Sequence, residues 1–234
     1  MLSPGLLSNR YRDRIPAERV RDLLRKPSNS ITLRCRNRWK KDCMFTECTW
    51  HHPPPACRID AGTLTVKTGE DTDFWRITAY DFIHDNGHFF SRPVDHDFTA
   101  QLHVRANFEA LYDQAGLMVR IDPSHWIKIG AEFSDGQLMM STVLTNEMSD
   151  WAVMPAPAIG AGFWLRVTIQ SGTVRAQYSL DGVNWPLLRL APFPVAATYL
   201  VGPMCCTPQR AGLEVHFTGF SVQPALQKDL HDLS

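Results

Sequence analysis

The chain has 234 residues, 44% of them hydrophobic, and 24 Lys and Arg balance 24 Asp and Glu. That content suits a globular protein with a buried core and excludes a chain that is disordered throughout, while no apolar run approaches the ~18 residues that a membrane helix needs. The opening MLSPGLLSNRYRDR has too short an apolar patch and no small-residue cleavage site, so the sequence reads as soluble, unexported and cytoplasmic.

The zero net charge hides a split. Residues 1–41 hold twelve Arg and Lys against three acids, and residues 42–234 hold twelve against twenty-one. The first segment reads as a basic N-terminal extension with one short helix: Pro16 opens a turn, Val20, Leu23 and Leu24 share a face, and Pro27 stops it. Basic arms can neutralise phosphates. Without aromatic interleaving or a nucleic-acid motif, no dedicated nucleic-acid role and no membrane partner are expected here. Next come Cys43, Cys48, His51, His52 and Cys57, spaced C-x4-C-x2-HH-x4-C. The spacing matches none of the usual zinc modules and Pro53-Pro54-Pro55 stiffens the segment, so these read as loop residues and no metal or cofactor is expected.

From Trp50 the pattern changes to short runs of period two, separated by turn signals such as DAG (60–62), DNG (85–87), DPS (122–124), SDG (134–136), SGT (171–173) and DGVN (181–184). This predicts an all-β domain over 42–225, followed by a C-terminal tail over 226–234. In the aromatic and acidic stretch DTDFWRITAYDFIHDNGHFF, residues 72–77 read as a strand, Asp85-Asn86-Gly87 as a turn whose Asn and Gly tolerate positive φ, and 88–90 as the next strand. Residues 98–108 alternate Phe98, Ala100, Leu102, Val104, Ala106 and Phe108 with polar neighbours. Across 113–145 the register follows from requiring opposed residues to share a face. A three-residue loop at Asp122-Pro123-Ser124 sets Arg120 against Trp126, Met118 against Lys128, Gly116 against Gly130 and Gln114 against Glu132. Val119, Leu117 and Ala115 then meet Ile127, Ile129 and Ala131. A type I′ turn at Asp135-Gly136 sets Phe133 against Leu138 and Ile127 against Leu144, with Met139 and Ser141 on the polar face. A further hairpin around Ser171-Gly172 sets Phe163, Leu165, Val167 and Ile169 against Leu180, Tyr178, Ala176 and Val174. With runs at 64–67, 150–153, 185–190, 198–202 and 213–223, about a dozen strands result, which two face-to-face antiparallel sheets accommodate.

The motifs TDFWR (72–76), DNGHFF (85–90), YDQAGLMVRID (112–122), HWIKIGAEF (125–133), SDW (149–151) and YSLDGVNW (178–185) resemble the regulation-of-enolase protein family, a domain of unknown function. The likeness covers residues 48–223. It implies a concanavalin A-like jelly-roll sandwich, a cytoplasmic setting, and a link to enolase and sugar metabolism, with no settled reaction.

Glycosidases of such folds need two carboxyls flanking the scissile bond. The E-x-D-x-x-E strand motif is absent, Asp71 and Asp73 lack a following Glu, and Asp113 falls on the opposite face from Glu132. No G-x-S-x-G, H-E-x-x-H or glycine-rich phosphate loop occurs, and His84, His88, His96 and His103 do not form H-x-H on one strand. No catalytic residue is therefore assigned. The sharper candidate is the polar face: Gln114, Arg120, Trp126, Lys128, Glu132 and Ser141 join a flat aromatic surface to donors and acceptors, as a sugar or small polyol requires. Trp75, His88 and the Ser149-Asp150-Trp151 run are rim candidates carried by the family motifs, and Asp73 of the aromatic and acidic stretch is a possible ligand contact beside them. The competing reading has Lys128 paired with Glu132, Trp126 covering the Arg120 stem, and the whole face solvated. The sequence thus points to a non-catalytic cytoplasmic binding or regulatory protein of carbohydrate metabolism, recognising a carbohydrate-like ligand or a metabolic enzyme. The alternative is a glycan-active hydrolase or lyase with an unrecognised acid pair.

Overall fold

A computed structural model describes residues 45–234; the basic extension, the short helix expected in it, and Cys43 lie outside them. Sixteen strands follow along the described chain. They are β1 (Thr49–Trp50), β2 (Ala56–Asp60), β3 (Thr63–Lys67), β4 (Phe74–Arg76), β5 (Ile83–Asp85), β6 (His88–Val94), β7 (Phe98–Ala106) and β8 (Gln114–Asp122). Then come β9 (His125–Ser134), β10 (Gln137–Asn146), β11 (Met148–Pro155), β12 (Phe163–Gln170), β13 (Thr173–Ser179), β14 (Leu187–Pro192), β15 (Tyr199–Cys206) and β16 (Glu214–Pro224). A seven-stranded sheet has the order β1-β6-β15-β8-β9-β10-β11, a second has β14-β13-β12-β7-β16-β3-β2, and β4 and β5 form a separate hairpin. Every recorded pairing is antiparallel. The two large sheets make the jelly-roll sandwich.

Alternation explains the core. Ala115, Leu117, Val119, Ile127, Ile129, Ala131 and Met140 of the first sheet pack against Phe98, Ala100, Leu102, Val104, Leu165, Val167, Ile169 and Phe217 of the second. Each buried large aliphatic contributes roughly 1.5–3 kcal/mol, so a one-residue slip that turned this row to water is heavily disfavoured. The derived pairings stand: Arg120 opposes Trp126, Gly116 opposes Gly130, and Gln114 opposes Glu132, while Phe133 opposes Leu138. The turn that sets this register differs from expectation. Asp122 pairs with His125, leaving Pro123-Ser124 as a two-residue turn, and the register shifts between Arg120 and Asp122 as a β-bulge. Asp122 Oδ1 accepts from the Ser124 and His125 amides at 2.7 and 2.9 Å, which holds the tight turn, and the bulge restores the facing that a longer loop was needed for.

Other boundaries also move. Strand β7 ends at Ala106, short of Phe108. Strand β13 ends at Ser179, so Leu180 is exposed rather than opposite Phe163, because the Ser179 hydroxyl turns to accept from the Gly182 amide at 2.8 Å. Only Phe74–Arg76 of the expected 72–77 strand is extended. Ile77, Ala79 and Asp81 have φ of 64°, 65° and 55°, and the chain reverses there into β5. Asn86 and Gly87 do not have positive φ. Gly87 is required for space instead, since a Cβ there would lie 2.3 Å from the Phe74 ring. The C-terminal tail lies along the second sheet, where the Arg175 guanidinium donates to the carbonyls of Lys228, Asp229, Leu230 and Asp232 at 3.0–3.3 Å.

The outer face of the first sheet carries a second, smaller core. Phe74, Trp75 and Phe89 pack with Met118, Trp126, Val143, Met204 and Cys206. Ile127 and Ile129 face the main core as expected, but Trp126, read as an exposed platform, is only 1% exposed. It is not between the two sheets; the β4–β5 hairpin covers it from outside, with the Phe74 ring 6.1 Å away. An indole is too large an apolar group to leave wet when a neighbouring hairpin can cover it.

Close strand approach makes a testable distinction between glycines. A Cβ at Gly130 would lie 2.2 Å from the Ala115 carbonyl oxygen, whereas one at Gly136, with φ +76°, meets nothing within 4 Å. Gly130→Ala is expected to lower stability in urea unfolding by about 2 kcal/mol or more, and Gly136→Ala by about 1 kcal/mol. Equal losses would show that the ladder has room at Gly130.

Candidate functional site

The covering hairpin leaves part of the polar face open, and there the protein has a pocket of about 340 Å³. Its floor is Gln114 from β8, Lys128 and Glu132 from β9 and Val143 from β10; Trp75, Tyr80, Phe82 and His84 of the hairpin and Trp151 of β11 form walls. Asp71, Asp73, Tyr112, Pro208 and Gln209 complete the lining from connecting segments.

The floor is a buried polar network. Lys128 Nζ donates to Asp73 Oδ1 at 3.1 Å and to Gln114 Oε1 at 2.8 Å. Burial works against the ammonium, but the Asp73 carboxylate, with smaller help from Glu132, outweighs it and holds Lys128 above the ordinary lysine range. Glu132 is raised, first by burial and further by the Asp73 charge, with Lys128 and the Ser141 hydrogen bond pulling the other way. Ser141 Oγ donates to Glu132 Oε2 at 2.7 Å and accepts from Trp151 Nε1 at 3.2 Å. Burial pushes the Cys206 thiol well up, so it is a neutral donor, lying 3.5 Å from Gln114 Oε1. It is no nucleophile. At the mouth, a hydrogen bond with Tyr80 and then burial push the Tyr112 hydroxyl up to about 12.

Of the residues expected at a site, Trp75, Gln114, Lys128, Glu132 and Trp151 meet in this pocket, with Asp73. Ser141 stands behind Glu132. It does not line the pocket, and neither do four others. Trp126 is buried under Phe74, its Nε1 donating to the Pro123 carbonyl at 3.2 Å. Arg120 makes a two-point pair with Asp85 at 2.5 and 2.8 Å, which ties β8 to the hairpin. Asp150 pairs with Arg189 at 2.7 Å. His88 is buried, its Nε2 accepting from the Gly69 amide at 2.9 Å and its Nδ1 lying 2.9 Å from the His52 carbonyl. The proposed Lys128–Glu132 pair is replaced by Lys128–Asp73, because the hairpin brings Asp73 over the sheet. Tyr80 and Phe82 carry no strand-side assignment in the sequence, and His84 is considered there only as a metal ligand. Tyr112 and Gln209 sit in connecting segments that alternation does not orient. Among the described residues no group of three His, Cys, Asp or Glu is placed to hold a metal ion.

The histidines beneath the hairpin have a pH consequence. An Nε2 that accepts from an amide cannot carry a proton, so His88 is a neutral imidazole donating from Nδ1. Its pKa is lowered, chiefly by burial and also by His52, against a raising contribution from the His52 carbonyl. His51 and His52 are lowered too, again with burial the largest cause. The unfolded chain binds these protons first as pH falls, so this stability is complete above the unfolded value of about 6.5 and is lost as pH drops through the lower folded values. Urea midpoints measured from pH 7.5 to pH 4.5 are expected to fall below pH 6.5, with a shallower fall in His88→Gln; an identical slope in the variant would remove His88 from the account.

The family described as a protein of unknown function, DUF1349, matches residues 50–225. The chain is similar to "Regulation of enolase protein 1" of Saccharomyces cerevisiae, 50% identical over 194 residues that span 83% of this chain and 98% of the relative. It also resembles the crystal structure of a functionally unknown protein from Saccharomyces cerevisiae, with TM-score 0.76 and 49% identity over 78% of this chain and 98% of that one. A GH43 protein from Bacillus licheniformis shares the fold at TM-score 0.61 and 16% identity, over 80% of this chain and 38% of its own.

Proposed function

We infer, from the premise that this chain belongs to the DUF1349 family, that it is a non-catalytic cytoplasmic binding protein with a regulatory role in carbohydrate metabolism. Its ligand is a carbohydrate-like molecule seated in the pocket between the β4–β5 hairpin and the first sheet. The regulatory part is supported by the relative named for regulation of enolase. The cytoplasmic part is supported by Cys205 and Cys206, adjacent buried thiols that are not joined to a partner, which suits a reducing compartment. The observation that carries the binding part is the pairing of aromatic walls with a hydrogen-bonding floor in about 340 Å³, a volume at the small end for ligand pockets. Trp75 and Trp151 stand at 87° with centroids 6.4 Å apart, so apolar ring faces of a sugar can pack there while its hydroxyls reach Gln114 and Glu132.

One feature favours a glycan-active enzyme as the second reading. Glu132 and Asp73 share the pocket, and Glu132 is raised by burial, as a general acid requires. Against it, Asp73 Oδ1 is committed to Lys128.

A saccharide array followed by calorimetry on the full chain decides between the readings. The expected outcome is a bound saccharide recovered unchanged, with affinity lowered about tenfold or more in Trp151→Ala. Released product would replace the binding reading by the enzymatic one, and unchanged affinity in the variant would remove the pocket from it.

A further inference from the structure

The charge of the pocket says more about its ligand than its size does. Asp71, Asp73 and Glu132 line it, and Lys128 is the one Lys or Arg among the lining residues. That ammonium is already engaged, buried against Asp73 and Gln114. Glu132 is left 4% exposed with the Ser141 hydroxyl and with no ion pair among the described residues. A buried carboxyl without its own cation is costly in its charged form, and an incoming positive group would relieve that cost. An anionic ligand would find no free counter-charge.

Two further observations point to the same class. Trp75 is at 87° to Trp151 and at 65° to Tyr80, so the rings turn toward one another around a corner instead of forming one flat platform. Aromatic faces around a corner, backed by carboxylates, suit an ammonium group. Gln114 is only 7% exposed; its Oε1 accepts from Lys128, while its Nε2 has no hydrogen-bond partner among the described residues. An amide N–H₂ that opens onto the pocket from a largely buried side chain is placed to donate to an acceptor there, which a sugar or polyol hydroxyl supplies.

Resting on the reading of this pocket as a carbohydrate site, we propose that it selects an ammonium-bearing sugar of the hexosamine class, its cation beside Glu132 and the aromatic corner and its hydroxyls against the Gln114 amide. Neutral hexoses would keep the hydroxyl contact and lose the charge contact. Phosphorylated sugars would be rejected.

The test is calorimetry on the full chain with D-glucosamine, D-galactosamine and D-mannosamine, each against its parent hexose, at a pH where the amines are protonated. The best hexosamine is expected to bind at least tenfold more tightly than its parent. Glu132→Gln should lower hexosamine affinity about tenfold and shrink the preference for a hexosamine over its parent hexose to about twofold or less. Asp71→Asn, at an exposed position whose φ of 54° Asn tolerates, should lower it severalfold without touching the core. Equal or tighter binding of a parent hexose, or hexosamine affinity untouched in both variants, overturns the charge assignment and leaves the pocket reading standing. Silence from all six sugars overturns the assignment too, and the array with Trp151→Ala then judges the pocket on its own.

Discussion

Two ion pairs fasten the β4–β5 hairpin to the outer face of the first sheet, and the pocket exists because of where they hold it. Arg120 of β8 grips Asp85 at 2.5 and 2.8 Å, and Lys128 of β9 reaches Asp73 at 3.1 Å. Asp73 and Asp85 lie just before and at the end of the hairpin, so both legs are pinned while its reversal at Ile77–Asp81 reaches across the sheet toward Tyr112. Between the pins, Phe74 and Trp126 close a small apolar core.

Stability and geometry come from different parts of this arrangement. Covering Trp126, Met118 and Val143 contributes the free energy, roughly 1.5–3 kcal/mol for each large side chain taken from water. A buried ion pair gives much less net, since desolvation offsets attraction, but breaking one partner strands the other at about 3–5 kcal/mol. The pairs therefore act mainly to choose one placement of the hairpin among those that would bury the same aromatics. The positive φ values at Ile77, Ala79 and Asp81 fit that picture, because a β-branched residue in the left-handed region is held there by its surroundings. The Trp75 indole, donating to the Thr78 carbonyl at 3.0 Å, is one such restraint.

The sandwich was legible because alternation is a local property that burial makes global. Once Ala115 to Val119 and Ile127 to Ala131 had to share a face, the pairings of β8, β9 and β10 followed, and even a mistaken loop length left them intact. The same rule correctly sent Trp126, Lys128 and Glu132 to the opposite face, and there it stopped. Alternation says which side of a sheet a residue occupies, not what covers that side. The hairpin over Trp126 depends on residues 74–85, whose short strands and left-handed turn carry no period of two. Hence Trp126 was taken for a platform and Arg120 for a ligand contact, while Tyr80, Phe82 and Tyr112 went unremarked. The expected polar cluster survived in part because Gln114, Lys128, Glu132 and Trp151 all line the pocket on that face.

Native-state hydrogen exchange of the hairpin amides tests the central claim most directly. If the two ion pairs and the Phe74–Trp126 contact make the hairpin part of the folded unit, the cross-strand amides of Phe74–Arg76 and Ile83–Asp85 exchange with protection close to that of β8 and β9, and Asp85→Asn lowers protection in the hairpin alone. Exchange at the rate of a free loop in the unmodified protein would contradict the account, for the pocket would then have no fixed wall.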